Sequence, residues 1–429
     1  NSVYQKCLPG IPAAVSFSAA MHSIMAVDEQ GDPLSPCIIW ADNRAVGFAE
    51  SFRESEQGKA FYYASGVPVH AMSPFCKLSW LSINDPSLFS KAFKFIGIKE
   101  YIFFRLFGVF VVDTAIASAT GLLNLQTLQW DETILGFLHL SPDRLSAVVS
   151  VKEKFIAPGA KKSGSSPSLL IPEGTPVIIG SSDGAAANLS IGHAGKKAMV
   201  MTIGTSSAVR MLTSKAHTDT AMRTFCYHAI DELYIQGGAS NNGAIVLEWL
   251  KNDLLEAKED MGSFLKLAET VPAGADGLLL LPYILGERAP LWNAHAKGVF
   301  FGLTVNHTKA HMVRSAMEAV IFGMYSIGKV ILESNEAEEI YATGGFARSA
   351  LWVQMVADVF NKQVVLSGSS ESSAWGAALI GMEALKLKAG EAQGGKTAYN
   401  PDASRHKVYN EQFKKFERLN VLLKSEFDN

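Results

Sequence analysis

One acidic residue, Asp183, lies in the small-residue stretch Gly180-Ser181-Ser182-Asp183-Gly184, and further along a second such stretch, Gly204-Thr205-Ser206-Ser207, carries hydroxyls but no charge. A positioned carboxylate can take a proton from an alcohol. A Gly turn lacking Cβ atoms lets successive backbone N–H groups approach one anion, and Thr and Ser add hydroxyl donors. These types in this order suit proton abstraction beside a bound phosphate. They equally suit two tight turns, one with a capping Asp, and the segment alone leaves both readings open.

Each turn follows a short apolar run, Val177-Ile178-Ile179 and then Ala198 to Ile203. Runs of this length, rich in β-branched residues and bounded by Gly, predict buried strands. The arrangement recurs. Tyr234-Ile235-Gln236 runs into a Gly-rich stretch ending in Asn241-Asn242-Gly243, and Ile340 to Thr343 runs into Gly344-Gly345-Phe346-Ala347-Arg348-Ser349. Strand, Gly turn and helix N-terminus together form the physical basis of nucleotide binding. Nearer the start, a strand over Ala13–Ser18 enters Ala19-Ala20-Met21-His22-Ser23. A second short strand, Cys37 to Trp40, ends in Ala41-Asp42-Asn43-Arg44. Strand ends with clustered polar residues are where α/β folds place sites, although His22 also suits a structural role and Asp42 an N-cap.

Helices are expected over Ala45–Gly58, after Pro74, over Phe93–Leu106 and over Ala310–Glu333, the last with Met312, Ala316, Val320 and Met324 at i+4 spacing. Lys99 and Glu100 stand out in the apolar Phe93–Leu106 segment, where a buried charge needs a partner or a job. The spacing places the main domain boundary near Gly195-Lys196, giving domains 1–195 and 196–429.

The chain has 429 residues, 48% of them hydrophobic and 18% charged, enough for a sizeable core. A net charge of -3 argues against nucleic acid or an anionic membrane as partner. Four scattered cysteines without a CxxC pair suggest a reduced, cytoplasmic setting. Gly390 to Thr397 fits the letters of a phosphate-binding P-loop, but it lacks the strand before it and the helix after it that the motif needs. No His or Cys cluster has metal-site spacing.

Taken together, the turns resemble the FGGY family of carbohydrate kinases, and within it the gluconate branch. Gly298 to Leu303 followed by His311-Met312-Val313-Arg314-Ser315-Ala316-Met317-Glu318 fits the family's C-terminal signature. Met72 to Asn84 fits the N-terminal one except at Ile83. Ser18 to Ser23, Ile39 to Arg44, Ile96 to Tyr101 and Ala342 to Ser349 are similar to the gluconate branch.

The resemblance implies an α/β, two-domain actin-like ATPase (ribonuclease H-like) fold, with ATP and sugar in the interdomain cleft and Mg²⁺ on the phosphates. It implies Asp183 as general base, Gly204, Thr205 and Ser206 on the ATP phosphates, and Gly344, Gly345 and Ser349 along the nucleoside, with Asn242 and Gly243 also on the cofactor side. Met21, His22, Trp40 and Asp42 would line the sugar pocket. A sugar-acid carboxylate would need a cation or N–H donors, for which Arg44, Lys77, Lys99 and a neutral His22 are candidates; Lys99 is favoured, since its context most needs explaining.

Two departures from the family pattern stand out. Nothing before Ala13 contains the family's Asp-x-Gly-Thr-Thr hairpin, so the native protein is expected to carry that hairpin and to exceed 46.2 kDa. Ala244 replaces a second Gly after Asn-Asn-Gly. The expected activity is ATP-dependent phosphorylation of D-gluconate to 6-phosphogluconate. The rival readings are an FGGY kinase for a neutral sugar such as xylulose and a non-catalytic actin-like sugar-sensing protein. The expected partners are a sugar acid and ATP, without nucleic acid or membrane; a homodimer is one candidate assembly.

Overall fold

The apolar runs that precede the Gly turns do form strands, and the strands stack into two sheets. The structure, a computed structural model, describes residues 12–158, 171–192, 197–366, 371–388 and 397–427. The expected boundary at Gly195-Lys196 and nearly all of the rejected P-loop stretch lie outside the described residues.

In the N-terminal half, β1 (Val15–Ala19), β2 (Lys154–Ile156) and β3 (Pro176–Ser182) form a sheet of order β1-β3-β2, with β1 and β3 parallel. Gly180, at φ 68°, produces an irregularity in that pairing, and an added Cβ would stand 1.9 Å from the Phe17 carbonyl oxygen. Only glycine fits so close a backbone approach in the left-handed region. β3 runs straight into α1 (Asp183–Gly192), so Asp183 is the first residue of a helix and not the middle of a turn.

The C-terminal half is built on β4 (Ala198–Ile203), β5 (Ser207–Thr213), β6 (Phe225–Ile230), β7 (Leu233–Ser240), β8 (Glu339–Thr343), β9 (Gln363–Leu366) and β10 (Thr397–Tyr399). Their order is β6-β7-β5-β4-β8-β9-β10. Neighbouring strands among β4 to β7 are antiparallel, whereas β8 joins β4 in parallel and β9 joins β8 in parallel. The buried strands β4 and β8 carry Met199, Met201, Ile203 and Ile340 into a core shared with the helices Lys309–Ser334 and Ala350–Phe360. The 26-residue helix is long and apolar enough to cross a membrane by composition, but 78% of its most apolar window is buried in this core.

The N-terminal half has its own core, in which Phe48, Phe52, Phe61, Phe75 and Phe137 pack with ring centroids 5.0 to 6.5 Å apart. The halves touch closely, with backbone passing near backbone at two glycines. Gly66 passes so near Cys226 that a Cβ would lie 2.3 Å from its carbonyl oxygen, and Gly376, on helix Ser372–Ala384, crosses α1 with the Ala186 carbonyl oxygen 1.7 Å from where its Cβ would be.

Three expectations are corrected. Ala45–Gly58 is two helices, Val46–Arg53 and Glu56–Ser65, because Ser55 caps the second by accepting from the Gly58 N–H at 2.9 Å. The Phe93–Leu106 segment begins as strand Lys94–Ile96 and becomes helical only at Ile98, after Gly97, whose N–H donates to the Glu100 carboxylate. Cys37 to Trp40 forms one isolated bridge, Ile24 to Ile38, and not a strand. Ile39 and Trp40 are exposed beyond it.

Candidate active site

The ends of β1, β3, β4, β5 and β7 surround a cavity of about 230 Å³, whose walls include Met21, His22, Trp40, Asp183, Ser206, Tyr227 and Arg288. Asp183 reaches it because β3 delivers it to the exposed first position of α1; its Oδ1 accepts from the Gly184 N–H at 2.6 Å. Asp183 is the one acidic residue among the cavity-lining residues.

His22 sits at φ 67°, a conformation that turns its ring away from the strand path. Its Nδ1 donates to the Ala119 carbonyl at 2.9 Å, and burial, with Lys77 nearby, lowers its pKa to about 3. A neutral ring protonated on Nδ1 offers Nε2 as an acceptor. This corrects the expectation of a donor: His22 can accept from a sugar hydroxyl but cannot bind a carboxylate.

None of the three cations expected to meet a sugar acid lines the cavity. Lys99 is buried, its Nζ 2.7 Å from the Asp113 carboxylate and 3.2 Å from the Ser181 carbonyl, so its charge is spent behind β3. The unusual charge in the apolar segment has a partner, not a ligand. Lys77 is fully buried and ties two loops together through the carbonyls of His22, at 2.7 Å, and Ile39, at 2.8 Å; burial lowers its pKa to about 8. Arg44 forms a bidentate pair with Asp42, at 2.8 and 2.9 Å, and lies over the Trp80 ring. That pair holds the Asp42 carboxyl below its usual pKa and leaves both groups off the cavity wall.

The cations that do line it are Arg210, on β5, and Arg288. Arg288 donates to the Ser240 carbonyl at 3.1 Å and lies over Trp40. Sequence reasoning missed both. The available signals were an arginine between Val209 and Met211 in a strand pattern, and the polar stretch Gly286-Glu287-Arg288 after the apolar run Leu278 to Leu281. Burial lowers the Arg210 pKa, with the Asp183 charge opposing, and both guanidiniums remain charged.

Gly204, Thr205 and Ser206 form the tip of the β4–β5 hairpin, with the Gly204 N–H donating to the Ser206 carbonyl at 2.9 Å. Thr205 is exposed and Ser206 lines the cavity. Gly243 packs on this tip: its Cβ would lie 2.5 Å from the Gly204 carbonyl oxygen, and the Ala244 N–H donates to that carbonyl at 2.7 Å. The neighbouring Asn242 is buried and gives its amide to the carbonyl of Gly286, at 2.7 Å, and to Glu287, at 3.2 Å. These bonds tie it to the Arg288 loop. Gly344, at φ 98°, passes 2.5 Å from the Ile203 carbonyl oxygen at its Cβ position, and the exposed Gly345 has open space around it. Ser349 caps helix Ala350–Phe360, accepting from the Trp352 N–H at 3.3 Å.

A carboxylate at a helix start, a hydroxyl-bearing hairpin tip and a second Gly turn beside it, carried on two packed halves, define a two-domain actin-like phosphotransferase. Residues 3–190 match the FGGY family of carbohydrate kinases, N-terminal domain, and residues 199–385 match its C-terminal domain. The chain belongs to the FGGY family of carbohydrate kinases and is a sugar kinase. It is 43% identical over 385 residues to a gluconokinase of Bacillus subtilis, covering 86% of this chain and 74% of that protein. Its fold is similar to a crystal structure of gluconate kinase from Lactobacillus acidophilus, with TM-score 0.91 and 32% identity over 100% of this chain and 87% of that one. It is equally similar to a ligand-bound xylulose kinase from Lactobacillus acidophilus, with TM-score 0.92 and 33% identity over 100% and 87%.

Proposed function

We propose that this sugar kinase transfers the γ-phosphoryl group of ATP to the terminal hydroxyl of D-gluconate, giving 6-phosphogluconate. The observation that carries this reading is the charge of the cavity: one carboxylate, Asp183, and two guanidiniums, Arg210 and Arg288. A neutral sugar needs no such excess, whereas an acid's carboxylate does. The 43% identity to a gluconokinase supports the same substrate.

In this reading Asp183 takes the proton of the attacking hydroxyl, and His22 Nε2 and Trp40 hold the sugar chain. The Gly204–Ser206 tip receives the phosphates, and the nucleoside lies along Gly344 and Gly345. Phosphoryl transfer depends on positioning and charge neutralisation. Mg²⁺ carried on the ATP phosphates would supply part of that neutralisation. This fits the chemistry of the lining, where Asp183 is the one acidic residue. The two domains are taken to divide near Gly195-Lys196, between the two matched ranges.

A neutral-sugar kinase is the second reading, favoured by the close likeness to a xylulose kinase. Turnover of gluconate and of xylulose by the native protein decides between them, and robust xylulose turnover would undo the gluconate assignment. Asp183→Ala is expected to lower turnover by about 10²- to 10⁴-fold with the fold intact. Wild-type turnover in that variant would remove Asp183 from the mechanism.

A further inference from the structure

Three polar side chains on the cavity wall have a buried atom without a hydrogen-bond partner among the described residues: Arg210 at Nε, Arg288 at Nε and Tyr227 at its hydroxyl. Buried polar groups in native proteins are almost always satisfied, so three orphans on side chains that line one cavity single these residues out. The three are not equivalent. Arg288 is anchored to the Ser240 carbonyl and the Trp40 face. Arg210 forms no ion pair with a described residue; it is held in place by packing. Its Nε lies 3.3 Å, and its guanidinium carbon 3.5 Å, from where a Cβ on Gly184 would sit, and its Cγ lies 2.9 Å from the corresponding position on Gly237. Both glycines lie against this side chain and leave it room. Tyr227 stacks on Phe225 at 4.3 Å and meets His22 edge-on at 6.0 Å, so its ring is held in place. Burial raises its pKa, so it remains a neutral donor.

Resting on the gluconate reading above, we infer that Arg210, assisted by the Tyr227 hydroxyl, is the residue pair that receives the substrate carboxylate and so selects a sugar acid over a neutral sugar. A guanidinium offers a planar donor fork that matches a carboxylate, and a phenol adds a third donor. Arg210 comes from β5, directly after the hairpin that carries the proposed phosphate tip. One strand pair therefore sets both the phosphate site and the acid end of the substrate. The carboxylate and the reacting hydroxyl are at opposite ends of an aldonate, which fits a substrate held across the cavity between Arg210 and the phosphate.

The alternative role for Arg210, beside Gly184, is to steady Asp183 for any substrate. D-gluconamide, identical to gluconate except for a neutral amide in place of the carboxylate, separates the two. In the native protein gluconate should bind more tightly than gluconamide. Arg210→Gln should weaken gluconate by about ten- to a hundredfold, the loss of a charge-assisted bond, leave gluconamide and ATP nearly unchanged, and bring the two sugars to similar affinity. Arg210→Lys should recover part of the gluconate preference. Tyr227→Phe, which keeps the ring stack, gives a smaller selective loss and serves if Arg210→Gln does not fold. Equal losses for gluconate and gluconamide, or no loss in either arginine variant and in Tyr227→Phe, would overturn this inference while leaving the gluconate reading standing. Absence of gluconate turnover in the native protein would overturn both.

Discussion

The Arg288 guanidinium carbon lies 5.4 Å from the centroid of the Trp40 ring, and the two side chains come from the two different family domains of the chain. The contact closes one wall of the cavity and couples its shape to the relative placement of the halves. A cation over an indole is worth about 0.5–2 kcal/mol. Trp40→Ala is therefore expected to raise the gluconate KM by about two- to thirtyfold, with ATP affinity nearly unchanged by calorimetry. An equal loss for both ligands would place Trp40 outside the sugar wall.

The phosphate tip makes a separate prediction. Thr205→Val and Ser206→Ala should weaken ATP more than gluconate, because their hydroxyls stand at the hairpin tip. Gly243→Ala should do the same by another route, since its new methyl would fall 2.5 Å from the Gly204 carbonyl oxygen and displace the turn. Separate titrations of the two ligands check this, and a selective loss of gluconate affinity would refute it.

Lys99→Met should act on stability and not on substrate. It leaves the fully buried Asp113 without its ion partner, a change that costs about 3–5 kcal/mol. Denaturant unfolding should show this loss, and Lys99→Met combined with Asp113→Asn should recover part of it. A strongly raised gluconate KM with unchanged stability would return Lys99 to the sugar.

Glu100 makes stability depend on pH. Burial raises its pKa from 4.5 to about 7, against the hydrogen bond it accepts from the Gly97 N–H. Its folded-state pKa is raised, so across this range the native state binds more protons than the unfolded chain. The stabilising contribution is complete below pH 4.5 and is lost as pH rises through about 7. Glu100→Gln should flatten the fall in unfolding midpoint over that window. An undiminished slope in the variant would assign the pH dependence to other groups.

Much of the fold was legible because its signals are local. Apolar runs such as Ala198–Ile203 and the i+4 stripe of Ala310–Glu333 report burial by composition and period, and both match elements of the structure within a residue or so. The Gly-rich turns mark where the backbone must pass close to another strand, as at Gly243 and Gly344. Asp183 was legible as a carboxylate after a strand, and the family resemblance implied its role. What the sequence by itself could not settle was which charges meet. Lys99 and Asp113 are fourteen positions apart and pair across two elements, at 2.7 Å; Arg44 and Asp42 consume each other beside the site. Arg210 and Arg288 look unremarkable in one dimension and reach the same cavity only because β5 and the loop after Leu281 converge on it. Strand periodicity says which face a side chain takes, but not what stands opposite, and the long-range packing of the two halves alone decides whether a buried cation finds a carboxylate or is left open to a ligand.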